Sequence, residues 1–199
     1  MATVLIVNGA EPHEPMAAGR LNELLVRAAR TELQRNFTVL TTTVHAGYDV
    51  ASEQRKFREA DTIIFQFPVY WFALPPTLKK YVDDVYTYGT FFGPTHTYGR
   101  GGLLGGRDYM VSTTWNASAT DFGSTETFIG QRTADDVLIA FHLTQQYVGL
   151  SPLASFSEND VVQHPDVDGA VERLRQHLRA HVIDKSRARH EAPTPSRSN

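Results

Sequence analysis

The sequence predicts an α/β protein, a parallel sheet of five strands with helices on both faces. Three observations predict it. Short apolar or β-branched runs recur along the 199 residues, they alternate with segments of helical periodicity, and the opening run Thr3–Asn8 is apolar enough to be buried on both faces. Because parallel strands need crossover connections, usually helices, this alternation favours a parallel sheet.

The first half of the chain carries the clearest alternation. Thr3–Asn8 and Thr62–Phe67 are continuous apolar runs, as expected of central strands. Arg20–Leu33 repeats apolar residues at helical spacing, and prolines open the helix Pro75–Tyr86, since proline fits the first turn of a helix. The elements predicted in this half are strand Thr3–Asn8, helix Arg20–Leu33, strand Phe37–Val44, helix Ala51–Ala60, strand Thr62–Phe67 and helix Pro75–Tyr86.

The second half is less regular and opens with a glycine-rich loop, residues 91–106. The tail, residues 184–199, is polar, contains proline and has no periodicity, which predicts disorder. The chain is therefore predicted to be one domain, residues 1–183, followed by a disordered tail. The elements predicted in this half are strand Asp108–Thr114, a helix from about Ala134 to Val148, strand Leu153–Phe156 and a closing helix Val167–Ile183.

Five strands rather than six favour the flavodoxin-like strand order 2-1-3-4-5. In such sheets ligands bind beyond the carboxyl ends of the strands, where the order reverses between strands 1 and 3. The loops that leave those ends are Gly9–Gly19, Pro68–Leu74 and Thr114–Ser118. We therefore expect these three loops to meet at one edge of the sheet and to form the site.

Composition excludes several classes of function. The chain has no cysteine, so it has neither a disulfide nor a thiolate nucleophile, which fits a reducing compartment. The formal net charge of −3 does not favour nucleic acid as a partner. No apolar run is long enough to cross a bilayer, and the first residues lack the pattern of a signal peptide. The sequence thus predicts a cytoplasmic protein without membrane insertion.

The loop after the third strand holds three large aromatic rings in succession, Tyr70, Trp71 and Phe72. Three such rings just past a strand cannot all point into a core. They either plug an interface between subunits or form a wall for a flat ligand, and the two roles are compatible. Trp115, at the end of the fourth strand, is expected to form a further wall.

The same loops suit a flat heterocycle that carries a phosphate. The dinucleotide fingerprint G-x-G-x-x-G and a Walker motif are both absent. Free backbone amides at the start of the first helix favour an anion, and Arg20 adds positive charge. Aromatic stacking contributes about 0.5–1.5 kcal/mol per pair, and the Asn116 amide can bond ring carbonyls or nitrogens. These features together indicate a flavin.

Three runs of the sequence resemble a known family: QFPVYWFALPPTLKKYVDDVYTYG, STTWNAS and VLIVNGA…GRLNELL. They are similar to those of the NAD(P)H:quinone oxidoreductases of the modulator-of-drug-activity-B type, over nearly all of residues 2–183. The resemblance implies a flavodoxin-like FAD enzyme, usually a homodimer with the flavin at the interface. It also implies ping-pong transfer of two electrons from NADPH or NADH to a quinone, with FMN the less favoured cofactor.

The resemblance also implies site residues. Tyr98 and His142 are hypothetical proton donors or anchors for the quinone oxygen. The cofactor-binding residues that it implies are Ala17, Ala18, Gly19, Arg20, Leu21, Asn22, Pro68, Val69, Tyr70, Trp71, Phe72, Tyr98, Thr114, Trp115, Asn116 and Ala117. No metal site is expected.

Two departures from the family pattern bear on the cofactor and the acceptor. The family often carries a serine shortly after the loop histidine, whereas residues 13–18 read HEPMAA, without a hydroxyl. The phosphate contacts must then come from backbone amides, Arg20 or Asn22. The loop before the fourth strand is shorter and ends in a run, YGTFFG, that leans toward the flavoprotein subunits of potassium-efflux systems. An ancillary transporter subunit and an FMN-dependent azo or nitro reductase are therefore the alternatives.

Structural roles compete with functional ones at several positions. His13 is expected to make loop hydrogen bonds, and His142 to be structural more often than catalytic. The pairs Lys79/Lys80 and Asp83/Asp84 are expected to form a solvated helix face, and the aromatic turn is expected to feed a helix that supplies dimer surface. His177 and His181 stand four apart, but the sequence offers no third ligand for a metal.

Overall fold

The computed structural model describes residues 1–12 and 19–191 of the chain. Its sheet contains six strands, all paired in parallel, in the order β2-β1-β3-β4-β5, with the short sixth strand also pairing with β4. The predicted strand order is confirmed. The strands are β1 (Thr3–Asn8), β2 (Thr38–Thr43), β3 (Thr62–Pro68), β4 (Asp108–Thr114), β5 (Ser151–Pro152) and β6 (Phe156–Glu158).

Helices cover both faces of the sheet. None of the described helices is long and apolar enough to span a membrane. Their bounds are α1 (Arg20–Leu33), α2 (Val50–Glu59), α3 (Pro76–Val85), α4 (Ala134–Val137), α5 (Ile139–Tyr147), α6 (Val167–Leu178) and α7 (Asp184–Glu191), with a π-helical turn, Arg179–Ile183, between α6 and α7.

Two hydrophobic layers form because neighbouring strand residues point to opposite faces. Leu5 and Phe65 belong to the layer that α2, α3 and α5 cover. Ile6 and Ile64, each next to one of these in sequence, belong to the layer that α1 and α6 cover. The central strands are therefore buried on both sides, as their continuous apolar runs predict.

Two elements of the second half differ from the prediction. The predicted strand Leu153–Phe156 is replaced by β5 and β6, which lie on either side of residues 153–155. Ser151 N and Leu153 N both donate to the β4 side, at 2.9 and 2.7 Å, and the chain leaves the ladder after the second bond. The predicted helix from Ala134 to Val148 is divided at Leu138, whose backbone (φ −95°, ψ 19°) is not helical.

The start of the tail also differs, since residues 184–191 form α7 where the sequence predicts disorder. Polar contacts hold its first turns: Lys185 lies 3.5 Å from the buried Asp108 carboxylate, and Arg187 donates to Asn36 at 3.2 Å. Isolated polar helices of this length are marginal, so the contacts with the domain supply what periodicity does not predict. Residues 192–199 lie outside the described part of the chain.

Candidate active site

The three predicted loops leave the same edge of the sheet. Asn8 pairs with Gln66, and Pro68 pairs with Thr114, so β1, β3 and β4 end side by side. The pairing extends into the loops, because the amide of Gly9 donates to Gln66 and that of Val69 to Thr114, at 2.9 and 3.0 Å. The expectation that the three loops meet at one edge is confirmed for the described residues, which exclude His13, Ala17 and Ala18.

Gly9 lets the first loop pass close to the helix that follows β3. A Cβ atom built on Gly9 would lie 2.6 Å from Cδ2 of Leu78, a buried residue of α3. A side chain at this position would force the Leu78 side chain to shift. The glycine therefore lets the Leu78 side chain pack against the start of the first loop.

The first turn of α1 presents backbone amides to the edge. Gly19 precedes the helix with φ 70°, a left-handed conformation that glycine adopts without strain, and it provides no side-chain cap. The amides of Arg20, Leu21 and Asn22 have no hydrogen-bond partner among the described residues. Arg20 is exposed. This turn fits an anionic group, because free amides and the helix dipole both favour negative charge.

The side chain of Asn22 has a structural role that the sequence did not reveal. Its Nδ2 donates to Thr114 Oγ1 at 3.0 Å, and its Oδ1 accepts from Gln66 Nε2 at 2.8 Å. Ser112 Oγ donates to Gln66 Oε1 at 2.6 Å and extends this buried chain. The side chain is therefore used within the protein, and only the backbone of Asn22 is available to a ligand.

The aromatic turn after β3 is tight and strained. Tyr70 and Ala73 exchange two backbone hydrogen bonds of 2.9 and 3.0 Å, and Trp71 and Phe72 between them have φ of 49° and 62°. Positive φ at both central positions is typical of type I′ turns, which favour Asn and Gly. Bulky residues held in this region cost about 1–3 kcal/mol each, and such strain tends to occur at functional sites.

The rings of this turn lie largely outside the core. The Trp71 side chain is 93% exposed and Phe72 is 45% exposed. Tyr70 is half-buried, its hydroxyl donates to the carbonyl of Glu11 at 3.4 Å, and burial raises its pKa. The amides of Trp71 and Phe72 have no hydrogen-bond partner in the described part of the chain. The turn thus presents rings and free amides together.

Phe128 joins this aromatic surface and was not identified from the sequence. It is 88% exposed, and its ring centroid lies 5.8 Å from that of Phe72. The polar segment between β4 and α4 carries it. A single large ring among the polar residues GSTETFIGQ was the available signal.

The end of β4 corrects one predicted wall. The Trp115 ring is 3% exposed, donates through Nε1 to Thr113 Oγ1 at 2.9 Å and packs edge-on against Phe122. It is therefore a core residue and cannot stack on a ligand. Asn116 is exposed, and the amides of Asn116 and Ala117 have no partner among the described residues. This run presents backbone donors instead of a ring.

His142 does not lie at this edge within the chain. Its Nδ1 is 2.8 Å from the hydroxyl of Tyr109, and its Nε2 is 3.2 Å from Asp135 Oδ1. Tyr109 is the second residue of β4, five residues before Thr114, a separation of about 16 Å along a strand. The structural role expected for His142 agrees with these contacts, and the imidazole lowers the pKa of Asp135.

Tyr98 is also distant from the edge of its own chain. It is 92% exposed, and its ring lies 5.6 Å from Tyr147 at the end of α5. The loop that carries it is bonded to the segment just before β5, because the Leu104 amide donates to the Val148 carbonyl. Because β5 pairs with the first residues of β4, Tyr98 lies toward the amino end of the sheet.

The remaining candidates have the expected structural roles. On α3, Lys79 pairs with Asp83 and Lys80 with Asp84, largely in solvent. His177 Nε2 lies 2.9 Å from the carbonyl of Ala154, and burial lowers the pKa of its imidazole. In the described residues no cluster of three potential ligands is suited to a metal ion.

Comparison with known proteins agrees with the architecture. A family model described as flavodoxin-like fold matches residues 2–182. The chain is 36% identical to the NADPH:quinone oxidoreductase MdaB of Haemophilus influenzae over 171 residues, which cover 80% of this chain and 89% of that protein. It is 39% identical to an uncharacterised protein of Schizosaccharomyces pombe over 88% of this chain and 94% of that one.

A solved structure extends the comparison. The general stress protein 14 of Treponema denticola, determined in complex with FMN, superposes with a TM-score of 0.68 and 26% identity, covering 89% of this chain and 96% of that one. The chain therefore belongs to the flavodoxin-like family, within its NAD(P)H:quinone oxidoreductase branch. It is an oxidoreductase of that class.

Proposed function

We propose that this protein is a flavin-dependent NAD(P)H:quinone oxidoreductase that transfers two electrons by a ping-pong mechanism. The observation that carries the proposal is the strained aromatic turn. Trp71 and Phe72 keep a costly backbone conformation, and their amides are free among the described residues. Family membership supports the same activity, since MdaB of Haemophilus influenzae bears that name.

The donor set of the edge fits a flavin. Two groups of amides have no hydrogen-bond partner in residues 1–12 and 19–191, one in the aromatic turn and one at Asn116–Ala117, and both are available to the carbonyls and nitrogens of a ring. The first turn of α1 is available to a phosphate. Exposed rings supply a flat apolar surface. Backbone donors suit such a site because they are already oriented by the fold.

The flavin, when bound, supplies the hydride chemistry of the reaction. The chain's own residues bind and orient. In the proposal the α1 amides and Arg20 hold the phosphate, the amides after β4 face the pyrimidine edge of the ring, and the aromatic turn lies along one side. No side chain of this edge is required as an acid or base.

We infer that the part of the cofactor recognised by the described residues is the FMN moiety, which FAD shares. Resemblance to the drug-modulator enzymes favours FAD, whereas the Treponema denticola relative was determined with FMN. The two differ in the adenylate half, which FAD carries and FMN lacks. Chromatography of the flavin released from purified protein identifies which one this chain binds.

We propose that Phe72 and Phe128 form the outer wall of the acceptor pocket. Their rings are in contact, tilted by 39°, and both are exposed. A flat quinone that stacks on these rings gains aromatic contact with them. In this proposal Phe128→Ala raises the KM for quinone and leaves flavin binding unchanged.

We also propose a homodimer, although through a different helix from the one expected. The exposed face of α3 carries the Lys79–Asp83 and Lys80–Asp84 pairs, which suit solvent. On α5, Ile139 and Leu143 are 51% and 57% exposed, four residues apart on one apolar face. This face lies beside Tyr147, whose ring contacts Tyr98. In this proposal, dimerisation through the face places Tyr98 near the flavin of the partner.

The test of the proposed function begins with the colour of the purified protein. We expect a yellow protein, or a colourless one that gains a bound-flavin spectrum with FMN or FAD, and rapid NADPH or NADH oxidation that depends on added quinone. A protein that binds neither flavin contradicts the proposal. A flavin-bound protein without quinone-dependent oxidation supports instead the ancillary-subunit alternative, and a preference for azo or nitro acceptors identifies the other one.

A further inference from the structure

The loop after β6, residues 158–161, is bonded along the run Trp115–Ala117. We call this segment the clamp loop. Two backbone carbonyls of this run, those of Trp115 and Ala117, accept hydrogen bonds from it, and the Asn116 and Ala117 amides of the same run are proposed to face the flavin. The four bonds are Trp115 N to Glu158 O at 2.8 Å, Val161 N to Trp115 O at 3.1 Å, Asp160 N to Ala117 O at 3.0 Å and Asn159 Nδ2 to Ala117 O at 3.2 Å.

These bonds fix the direction of the neighbouring amides. In a planar trans peptide the C=O and the following N–H point in opposite directions. The bond from Val161 to the Trp115 carbonyl therefore turns the Asn116 amide away from the clamp loop. The two bonds to the Ala117 carbonyl fix the plane of the peptide that joins Ala117 to Ser118. The peptide that carries the Ala117 amide therefore lies between two peptides whose planes are fixed.

The clamp loop is itself held firmly. Asp160 has φ 56°, a left-handed conformation in which Asp is several-fold enriched among residues other than glycine. Its carboxylate lies 2.6 Å from His164 Nδ1. The buried Glu158 carboxylate receives two bonds from Arg173 of α6, at 2.6 and 3.1 Å. The loop is thus anchored to the helix behind the sheet.

We propose that Asn159 and Asp160 are positioning residues for the flavin, which they do not touch. Asn159 acts through its bond to the Ala117 carbonyl, and Asp160 acts through its left-handed backbone. Together they aim the amides of Asn116 and Ala117 toward the polar edge of the ring. This inference rests on the proposed function, because it assumes that the run after β4 binds that edge.

The consequence differs from that of a purely structural contact. Amides aimed at the polar edge favour the negative charge that reduction places there. Loss of their alignment therefore weakens flavin binding and also shifts the midpoint potential to more negative values. A residue that only supports the fold alters stability and leaves the potential of the bound flavin unchanged.

The test compares four variants with the wild-type protein in flavin titration and in redox titration. Asn159→Ala removes one neutral hydrogen bond, and we expect the flavin Kd to rise about fivefold, with a more negative potential. Asp160→Asn favours the same left-handed conformation and keeps a side-chain oxygen for His164, so it stays near wild type. Asp160→Ala strains it and behaves like Asn159→Ala. Asn36→Ala is the control, because Asn36 contacts Arg187 near the amino end of the sheet, and we expect neither the flavin Kd nor the midpoint potential to change.

Each outcome has one meaning. A wild type that binds flavin, with an Asn159→Ala variant of unchanged Kd and potential, overturns the inference and leaves the proposed function standing. A variant whose Kd rises while the potential stays constant assigns Asn159 a structural role only, which also overturns it. A wild type that binds neither FMN nor FAD contradicts the proposed function itself.

Discussion

Asn22 and Gln66 share a buried hydrogen bond of 2.8 Å that joins the first turn of α1 to the end of β3. The same asparagine reaches Thr114 at the end of β4. One side chain therefore holds three elements of the site in register. The amides proposed to bind the phosphate and those proposed to bind the ring keep their separation through this contact.

The first prediction concerns this bond. Asn22→Leu leaves Gln66 Nε2 without its buried acceptor, which costs about 1–3 kcal/mol of unfolding free energy. Urea denaturation of the flavin-free protein measures the loss. Asn36→Leu is the control at a less buried asparagine, and we expect it to change stability by less than about 0.5 kcal/mol. Equal stabilities for wild type and Asn22→Leu would show that the buried chain does not hold the edge.

The second prediction concerns the strain at Trp71. Because the ring is 93% exposed, its removal costs little packing, whereas the backbone at φ 49° disfavours every residue with a Cβ. Trp71→Gly should therefore be more stable than Trp71→Ala by about 1 kcal/mol. Both variants should bind flavin more weakly than wild type. If the alanine variant is the more stable of the two, the turn is not strained as described.

The sequence predicted the fold through its continuous apolar runs. Thr3–Asn8 and Thr62–Phe67 identify strands buried on both faces, and their ends place the site. Sequence reasoning missed contacts that depend on tertiary packing. Trp115 directly follows β4, at the edge that forms the site. Its Nε1 donates to the buried Thr113 Oγ1, so the ring lies in the core.

Other misses have equally local causes. His142 is a hypothetical proton donor in the sequence analysis, but its Nδ1 lies 2.8 Å from the Tyr109 hydroxyl and its Nε2 lies 3.2 Å from Asp135 Oδ1, both away from the edge. Phe128 stands in a polar loop without periodicity, so only the contact with Phe72 identifies it. Positive φ at Trp71 and Phe72 has no signal in the sequence, since turn rules predict Asn or Gly there.

The third prediction concerns the proposed dimer. Leu143→Glu places a charge on the exposed apolar face of α5, and burying an unpaired charge in an interface is costly. We expect the wild type to sediment as a dimer and this variant as a folded monomer. Val167→Glu makes the same change on α6, at a residue 41% exposed on the opposite face, and should leave the dimer intact. A Leu143→Glu variant that remains dimeric would show that the interface does not include this face of α5.

The fourth prediction concerns pH. Arg179 bonds the buried Glu32 carboxylate at 2.7 and 3.1 Å and lowers its pKa below 4.5. A lowered folded-state pKa adds stability above the unfolded value, and this is lost as pH falls through the folded value. Arg179→Gln should therefore destabilise the protein most at neutral pH, and the difference from wild type should shrink below pH 4.5.

Urea denaturation of both proteins at neutral and acid pH provides this measurement. Arg27→Gln is the control, because Arg27 contacts the exposed Glu23 at 3.5 Å and should have little effect at either pH. A difference between wild type and Arg179→Gln that is independent of pH would mean that the pair does not lower the pKa of Glu32.

Tryptophan fluorescence during flavin titration tests the central claim most directly. The chain has two tryptophans, the exposed Trp71 at the proposed site and the buried Trp115 behind it. We expect FMN or FAD to quench the solvent-exposed emission of Trp71 with a stoichiometry of one flavin per chain, and Trp71→Phe to lose that component. Unchanged emission and an unbound flavin spectrum throughout the titration would contradict a flavin site at the aromatic turn.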